Sequence, residues 1–168
     1  MRLRTACLPL ALGLASAAAA CSGSSAPPRH SARLAERCTA EVRAAVGRAG
    51  RGASADARVA SSSPGMTTCV YTAPGIAVRV LVDTNPQAEQ RFDRAVVERD
   101  QNAIWSSHHG RAPRLLQGIG EGADWFPDDR NLLTTDGRAL IDITVHSPRS
   151  LARALRLAKQ VAHATLAH

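Results

Sequence analysis

Between Ile76 and Asp83 the chain alternates strictly. Ile76, Val78, Val80 and Val82 fall on one side, and Ala77, Arg79, Leu81 and Asp83 on the other. A period of two with branched apolar residues on one side marks a strand with one buried face. Met66 to Thr72 precedes it, and Ala73-Pro74-Gly75 lies between, so the spacing predicts a hairpin. Whatever else forms must supply an antiparallel sheet and something apolar to cover it.

A second hairpin is predicted from Asn131–Thr135 and Arg138–His146, joined by Asp136-Gly137, where both central positions favour positive φ. Leu115 and Leu116 open a further strand, interrupted by Gly118, Gly120 and Gly122, and Ala123 to Phe126 supplies another. Three helices are expected. Ser31 caps the first, with Leu34, Cys38, Val42 and Ala45 on one face and Gly47 as its stop. Asn85-Pro86 starts the second, whose face reads Ala88, Phe92, Ala95, Val96, Arg99 and Ala103 and which runs to about Trp105. Ser147-Pro148 starts the third, with Leu151, Ala154, Leu155, Ala158, Ala162 and Leu166 as its buried stripe. Arg48 to Gly65, rich in Gly, Ala, Ser and Arg, reads as an irregular loop. The order α-β-β-α-β-β-β-α is that of an α+β domain: helices on an antiparallel sheet of about five strands. No internal repeat is present.

The front of the chain reads as an address. Arg2 and Arg4 precede an apolar run from Ala6 to Ala20, too short and alanine-rich for a good membrane span and ending in small residues. Residues 1–20 are therefore a signal peptide. Ala18-Ala19-Ala20-Cys21 resembles a bacterial lipobox with alanine where leucine is usual; ordinary signal-peptidase cleavage, leaving a terminal thiol, is the other reading. The Ser, Gly and Pro run after Cys21 favours the lipobox, making residues 21–30 a lipidated cysteine with a flexible tether and residues 31–168 one domain. The expected location is the extracytoplasmic face of the cell membrane.

With Cys7 in the signal and Cys21 lipidated, Cys38 and Cys69 remain, 31 residues apart. In an exported domain such a pair predicts one disulfide, worth roughly 3–4 kcal/mol in the chain-entropy model. Zinc ligation would need a Cys-x-x-Cys spacing or a nearby histidine, and neither is there. After the signal, 19 basic residues face 14 acidic ones, and Lys159 is the only lysine. Arginine and alanine at this level reflect a GC-rich genome first. Only five aromatic residues occur (Tyr71, Phe92, Trp105, Trp125 and Phe126), which argues against a stacking platform for nucleic acid, as does the exported address.

A lipobox, a short Ser/Pro tether, a helix bearing one cysteine, a second cysteine in the first strand (Cys69-Val70-Tyr71) and the phrase Leu116-Gln117-Gly118-Ile119-Gly120-Glu121-Gly122-Ala123 form a recurring layout. It resembles a group of small actinobacterial lipoproteins of unknown function, in which Cys-x-Trp is common where Tyr71 stands here. That group is similar in outline to extracellular sensor domains of mycobacterial Ser/Thr kinases. The resemblance spans Arg37 to Leu166; it implies no catalytic residues and an envelope-facing binding or accessory domain.

The chemistry-bearing residues support the same expectation. His108-His109, His146, His163 and His168 lack ligand partners at helical spacing. Asp124, Asp128 and Asp129 lack a calcium-loop pattern. Gly118-x-Gly120-x-Gly122 lacks the offset and helix of a dinucleotide loop and instead suits a bulge or close backbone approach. Ser106-Ser107 before His108 has no nucleophile elbow around it. No catalytic residue, metal or cofactor is expected. Arg149, Arg153, Arg156 and Lys159 form a basic stripe, a solvated face or a contact for anionic headgroups or wall polymers. Trp105, Trp125, Phe126, Arg153 and Arg156 are the candidate contacts. The expected function is a lipid-anchored, non-enzymatic binding or accessory domain that engages an envelope protein, a lipid or a wall polymer. The alternative is a carrier or sensor with a pocket between sheet and helices for a small apolar ligand.

Overall fold

The structure, a computed structural model, describes residues 40–52, 54–106, 111–146 and 150–167, without the side chains of 102–106. Cys21 and its tether, Cys38, His108-His109, Arg149 and the starts expected at Ser31 and Ser147 lie outside the described residues. The fold is α+β, with an open antiparallel sheet and three helices among the described residues. In chain order these are α1 (residues 40–49), β1 (Asp56–Ser63), β2 (Met66–Ala73), β3 (Ile76–Asp83), α2 (Ala88–Ser106), β4 (Arg114–Leu115), β5 (Gly122–Phe126), β6 (Asn131–Thr135), β7 (Leu140–His146) and α3 (Leu151–Leu166). The sheet has seven strands, not about five, in the order β1-β2-β3-β7-β6-β5-β4.

Alternation assigns each strand residue to a layer. Cys69 and Tyr71, then Val78, Val80 and Val82, then Ile141, Ile143 and Val145, then Leu132 and finally Ala123 and Trp125 share one face. They form a single core with Val42, Ala45 and Val46 of α1 and with Ala154, Leu157, Ala158, Val161 and Ala162 of α3. Phe126, Leu133 and Leu140 point the other way and close a smaller cluster with Ala88 and Phe92 of α2, flanked by Ala95 and Val96. The molecule therefore has three layers, with α1 and α3 on one side and α2 on the other. On the α2 side, Val70, Thr72, Ala77, Arg79 and Leu81 of β2 and β3 are exposed or only half-buried.

The additional strand is β1, in the stretch expected to be irregular. It is the sheet's outer member, exposed at all but one position, so burial imposes no apolar period on Asp-Ala-Arg-Val-Ala-Ser-Ser-Ser. Its pairing with β2 carries a bulge between Val59 and Ser61. At the opposite edge β4 has two residues. The order is thus α-β-β-β-α-β-β-β-β-α, which replaces the expected arrangement.

Helix ends also differ from expectation. Gly47 does not stop α1, which continues to residue 49; Arg51 and Gly52, both at positive φ, turn the chain, and the Gly50 amide donates to the Val46 carbonyl. Helix α2 begins at Ala88 because the Asn85 side chain donates to Asp83 Oδ1 (2.6 Å) instead of capping it. The buried stripe of α3 is rotated toward Leu157, Val161 and Thr165, leaving Leu151, Leu155 and Leu166 half-exposed. Asp136-Gly137 lies within a four-residue loop in which only Gly137 takes positive φ; Asp136 Oδ1 accepts the Arg138 and Ala139 amides.

The alternating glycines serve close backbone approach. The loop before β5 tucks Ile119 into the core, and the Glu121 amide donates to the Thr135 carbonyl (2.7 Å). Gly120 sits at φ 57°, and a Cβ there would overlap the Thr135 carbonyl oxygen; Gly118 sits at φ 75° with open space around it. Gly118→Ala should therefore cost only backbone strain, about 1–2 kcal/mol. Gly120→Ala should cost a further ~1–3 kcal/mol from forced overlap, read as the difference between two chemical denaturation curves.

Candidate functional site

Two polar regions stand out, on opposite layers. Under α2, Asp142 of β7 projects into the space beneath the helix. Arg99 Nη2 donates to Asp142 Oδ2 at 3.0 Å, while Arg99 Nη1 donates to Asn131 Oδ1. Asn131 Nδ2 in turn faces Asp142 Oδ1, Thr144 Oγ1 (3.1 Å) and the Ile143 carbonyl (3.3 Å). The Arg99 guanidinium also lies over the Phe126 ring, 5.4 Å from its centroid. At the start of the helix Asp83 accepts from the Asn85 amide and pairs with Arg91 Nε at 2.8 Å. Arg91 and Arg99 are eight positions apart, so α2 is fastened to adjacent strands β3 and β7 by two arginine–carboxylate contacts. Arg99, Asn131 and Asp142 are occupied with one another, whereas Arg91 Nε and Nη2 are buried without a hydrogen bond among the described residues; the two contacts fit anchoring of a helix whose apolar face is small.

The second region lies between the other two helices. Where α1 ends, α3 passes over the ends of β3 and β7 and leaves a crevice of about 170 Å³. Ala49, Ile76, Val145, Ala154 and Leu157 make its apolar floor; Arg153, Arg156 and Gln160 stand at its mouth. Arg153, Arg156, Leu157 and Gln160 come together because spacings of three and four residues share a helix face. Neither arginine pairs with a carboxylate among the described residues. A floor of methyl groups with guanidiniums at its opening suits a molecule that is apolar at one end and anionic at the other.

The other candidate residues fall elsewhere. Trp125 (2 % exposed) packs in the large core and Phe126 (3 % exposed) in the small one, on opposite faces of β5, so neither offers surface to a partner. Trp105 belongs to the last turn of α2, with its side chain outside the described residues. Cys69 is buried at 1 % exposure within the α1–α3 core. Asp128 accepts the Arg111 amide at 2.8 Å and so ties the segment before β4 to the turn between β5 and β6. No helix among the described residues is long and apolar enough to cross a membrane. No cluster of three metal-ligating side chains occurs among them.

Sequence reasoning placed Arg99 on the apolar face of its helix without assigning it a partner. A cation on a buried face was the available signal that a carboxylate must lie opposite. The crevice left no such trace, since its floor is assembled from the ends of four elements. Compared with protein-family models, curated proteins and solved structures, the chain matches none.

Asp124 of β5 is held above the usual carboxylate range, first by burial and then by the nearby Asp100 carboxylate of α2. Its folded pKa therefore exceeds its unfolded one, so its contribution is fully favourable only below the unfolded value and is lost as pH rises through the folded one. Asp124→Asn should raise the melting temperature at about pH 7, with the gain vanishing toward about pH 3, where both states are protonated. Arg99→Ala should cost about 1–3 kcal/mol by leaving Asp142 and Asn131 without their donor, against a change within about 0.5 kcal/mol for exposed Arg94→Ala.

Proposed function

We propose that this protein is a lipid-anchored, non-enzymatic binding domain on the extracytoplasmic face of a bacterial membrane, acting through the crevice between α1 and α3. The crevice carries the reading: it is a solvent-accessible recess whose floor and rim differ in chemistry, and its arginines have no carboxylate partner among the described residues. The lipobox-like Ala18-Ala19-Ala20-Cys21 supports the anchor, and the resemblance to small actinobacterial lipoproteins supports an accessory role. The contacts of Arg99 with Asn131 and Asp142 beneath α2 support an anchoring role for those side chains.

A carrier or sensor of a small apolar ligand is the second reading, favoured by the apolar floor. At about 170 Å³ the crevice is smaller than the roughly 300–1,000 Å³ pockets that enclose whole ligands. It would hold one end of a molecule, which favours surface binding over carriage.

The proposed Cys38–Cys69 disulfide would tie α1 to β2. Its support is that Cys69 lies in the core that α1 covers, and that Cys38 precedes the buried Val42 by four residues, one helical repeat. Fractionation and intact mass of the exported protein test both modifications. After a wash at about 0.5 M salt, which screens electrostatic contacts, wild type should stay with membranes at a mass matching acylated Cys21, and Cys21→Ser should be released. Unfolded in denaturant without reduction, neither Cys38 nor Cys69 should take up an alkylating reagent. Retention of Cys21→Ser in membranes would remove the anchor, and two alkylated thiols would remove the disulfide.

A further inference from the structure

The charges of the two helical layers are unequal. On α1 and the turn after it stand Arg43, Arg48 and Arg51, and on α3 stand Arg153, Arg156 and Lys159; among the described residues Glu41 is the one carboxylate on either helix. None of these six cations makes an ion pair among the described residues. On the opposite layer α2 carries Glu89, Asp93, Glu98 and Asp100 against Arg91, Arg94 and Arg99, two of which are held by Asp83 and Asp142. The sheet thus separates a strongly cationic layer from a slightly anionic one. The cationic layer is also the one the chain enters first, since the segment after Cys21 leads into α1.

We propose that the α1–α3 layer docks on anionic phospholipid headgroups, so that the domain lies on the membrane with its basic helices down and α2 facing away. The proposal rests on the lipid-anchor reading for its geometry and names the partner of the same crevice. Arginine on a surface parallel to an anionic leaflet gains attraction from every charge within a screening length of the bilayer, roughly 8–10 Å. Here six such charges share one layer, and a headgroup phosphate at the mouth between Arg153 and Arg156 would place the methylenes of the headgroup beyond it above Ile76, Val145 and Leu157. Burial of those methylenes accounts for an apolar floor that a purely electrostatic contact would not need. A wall polymer would use the arginines but not the floor.

Vesicle flotation with the full chain carrying Cys21→Ser, purified from whichever fraction holds it, isolates the headgroup contact from any lipid on the protein. The vesicles are phosphatidylcholine alone, or phosphatidylcholine with about one-third phosphatidylglycerol. The expected result is binding at least about tenfold stronger to the anionic vesicles, abolished on raising salt from about 0.05 M to about 0.5 M. Arg153→Glu with Arg156→Glu should lower that binding by about tenfold or more, and Arg43→Glu with Arg48→Glu should lower it too. Arg94→Glu on α2 should leave it within about twofold, and circular dichroism checks that each variant is folded. Equal binding to both vesicles, an equal loss with Arg94→Glu, or binding to an anionic wall polymer but not to vesicles would overturn the proposal. Should Cys21→Ser leave the cell membrane yet fail to float, the anchor stands and the headgroup contact falls. Should it stay in the membrane through a wash at about 0.5 M salt and float on anionic vesicles alone, the reverse holds.

Discussion

The pairing of β3 with β7 holds the molecule together. The first three strands and the last four form two chain-local ribbons, and they meet only along the register from Ala77 opposite His146 to Asp83 opposite Leu140. Because side chains alternate, this seam supports both helical layers at once. Val78, Val80 and Val82 meet Val145, Ile143 and Ile141 beneath α1 and α3, while Leu140 and Asp142 face α2. Slipping the seam by one residue would place Asp142 in the large core and Ile141 and Ile143 beneath the smaller helix layer. The apolar row and the Asp142 carboxylate therefore enforce the same register from opposite faces.

That dual role explains which parts of the fold were legible. Ile76–Asp83 and Asn131–Thr135 were read with their observed boundaries, because a half-buried strand writes its pleat into the sequence. The face of α2 from Ala88 to Arg99 was read with the right phase for the same reason at helical spacing. Strand β1 was missed because exposure on both sides removes the selection that produces a period; the strand expected to open at Leu115 and Leu116 is the two-residue β4, Arg114–Leu115. The α3 stripe kept Ala154, Ala158 and Ala162 but was misphased because alanine on several sides of the helix left Leu151, Leu155 and Leu166 to suggest the centre, where contact with the sheet instead selects Leu157, Val161 and Thr165.

The site was less legible than the fold. Trp125 and Phe126 drew attention as rare aromatics, yet in a chain with so few rings they are the largest pieces available for filling two cores. Arg153 and Arg156 were singled out correctly as exposed charges, but what gives them context is the apolar recess between α1 and α3, and the residues beneath it come from positions 49, 76, 145, 154 and 157. Arginine thus has two uses in this molecule. On α2 it is matched to carboxylates and fixes a helix; on α3 it is left unmatched.

The two edges of the sheet bear on behaviour at high density. A long, regular outer strand offers a row of amides and carbonyls to any neighbour in the same orientation, and copies crowded on one surface meet neighbours often. Strand β4 presents only two residues, and β1, although eight residues long, is broken by the bulge between Val59 and Ser61. The bulge re-aims half of the strand, so a second copy aligned with one half is out of step with the other. The bulge thereby works against polymerisation through that edge, alongside the charges of Asp56 and Arg58 that the same strand carries.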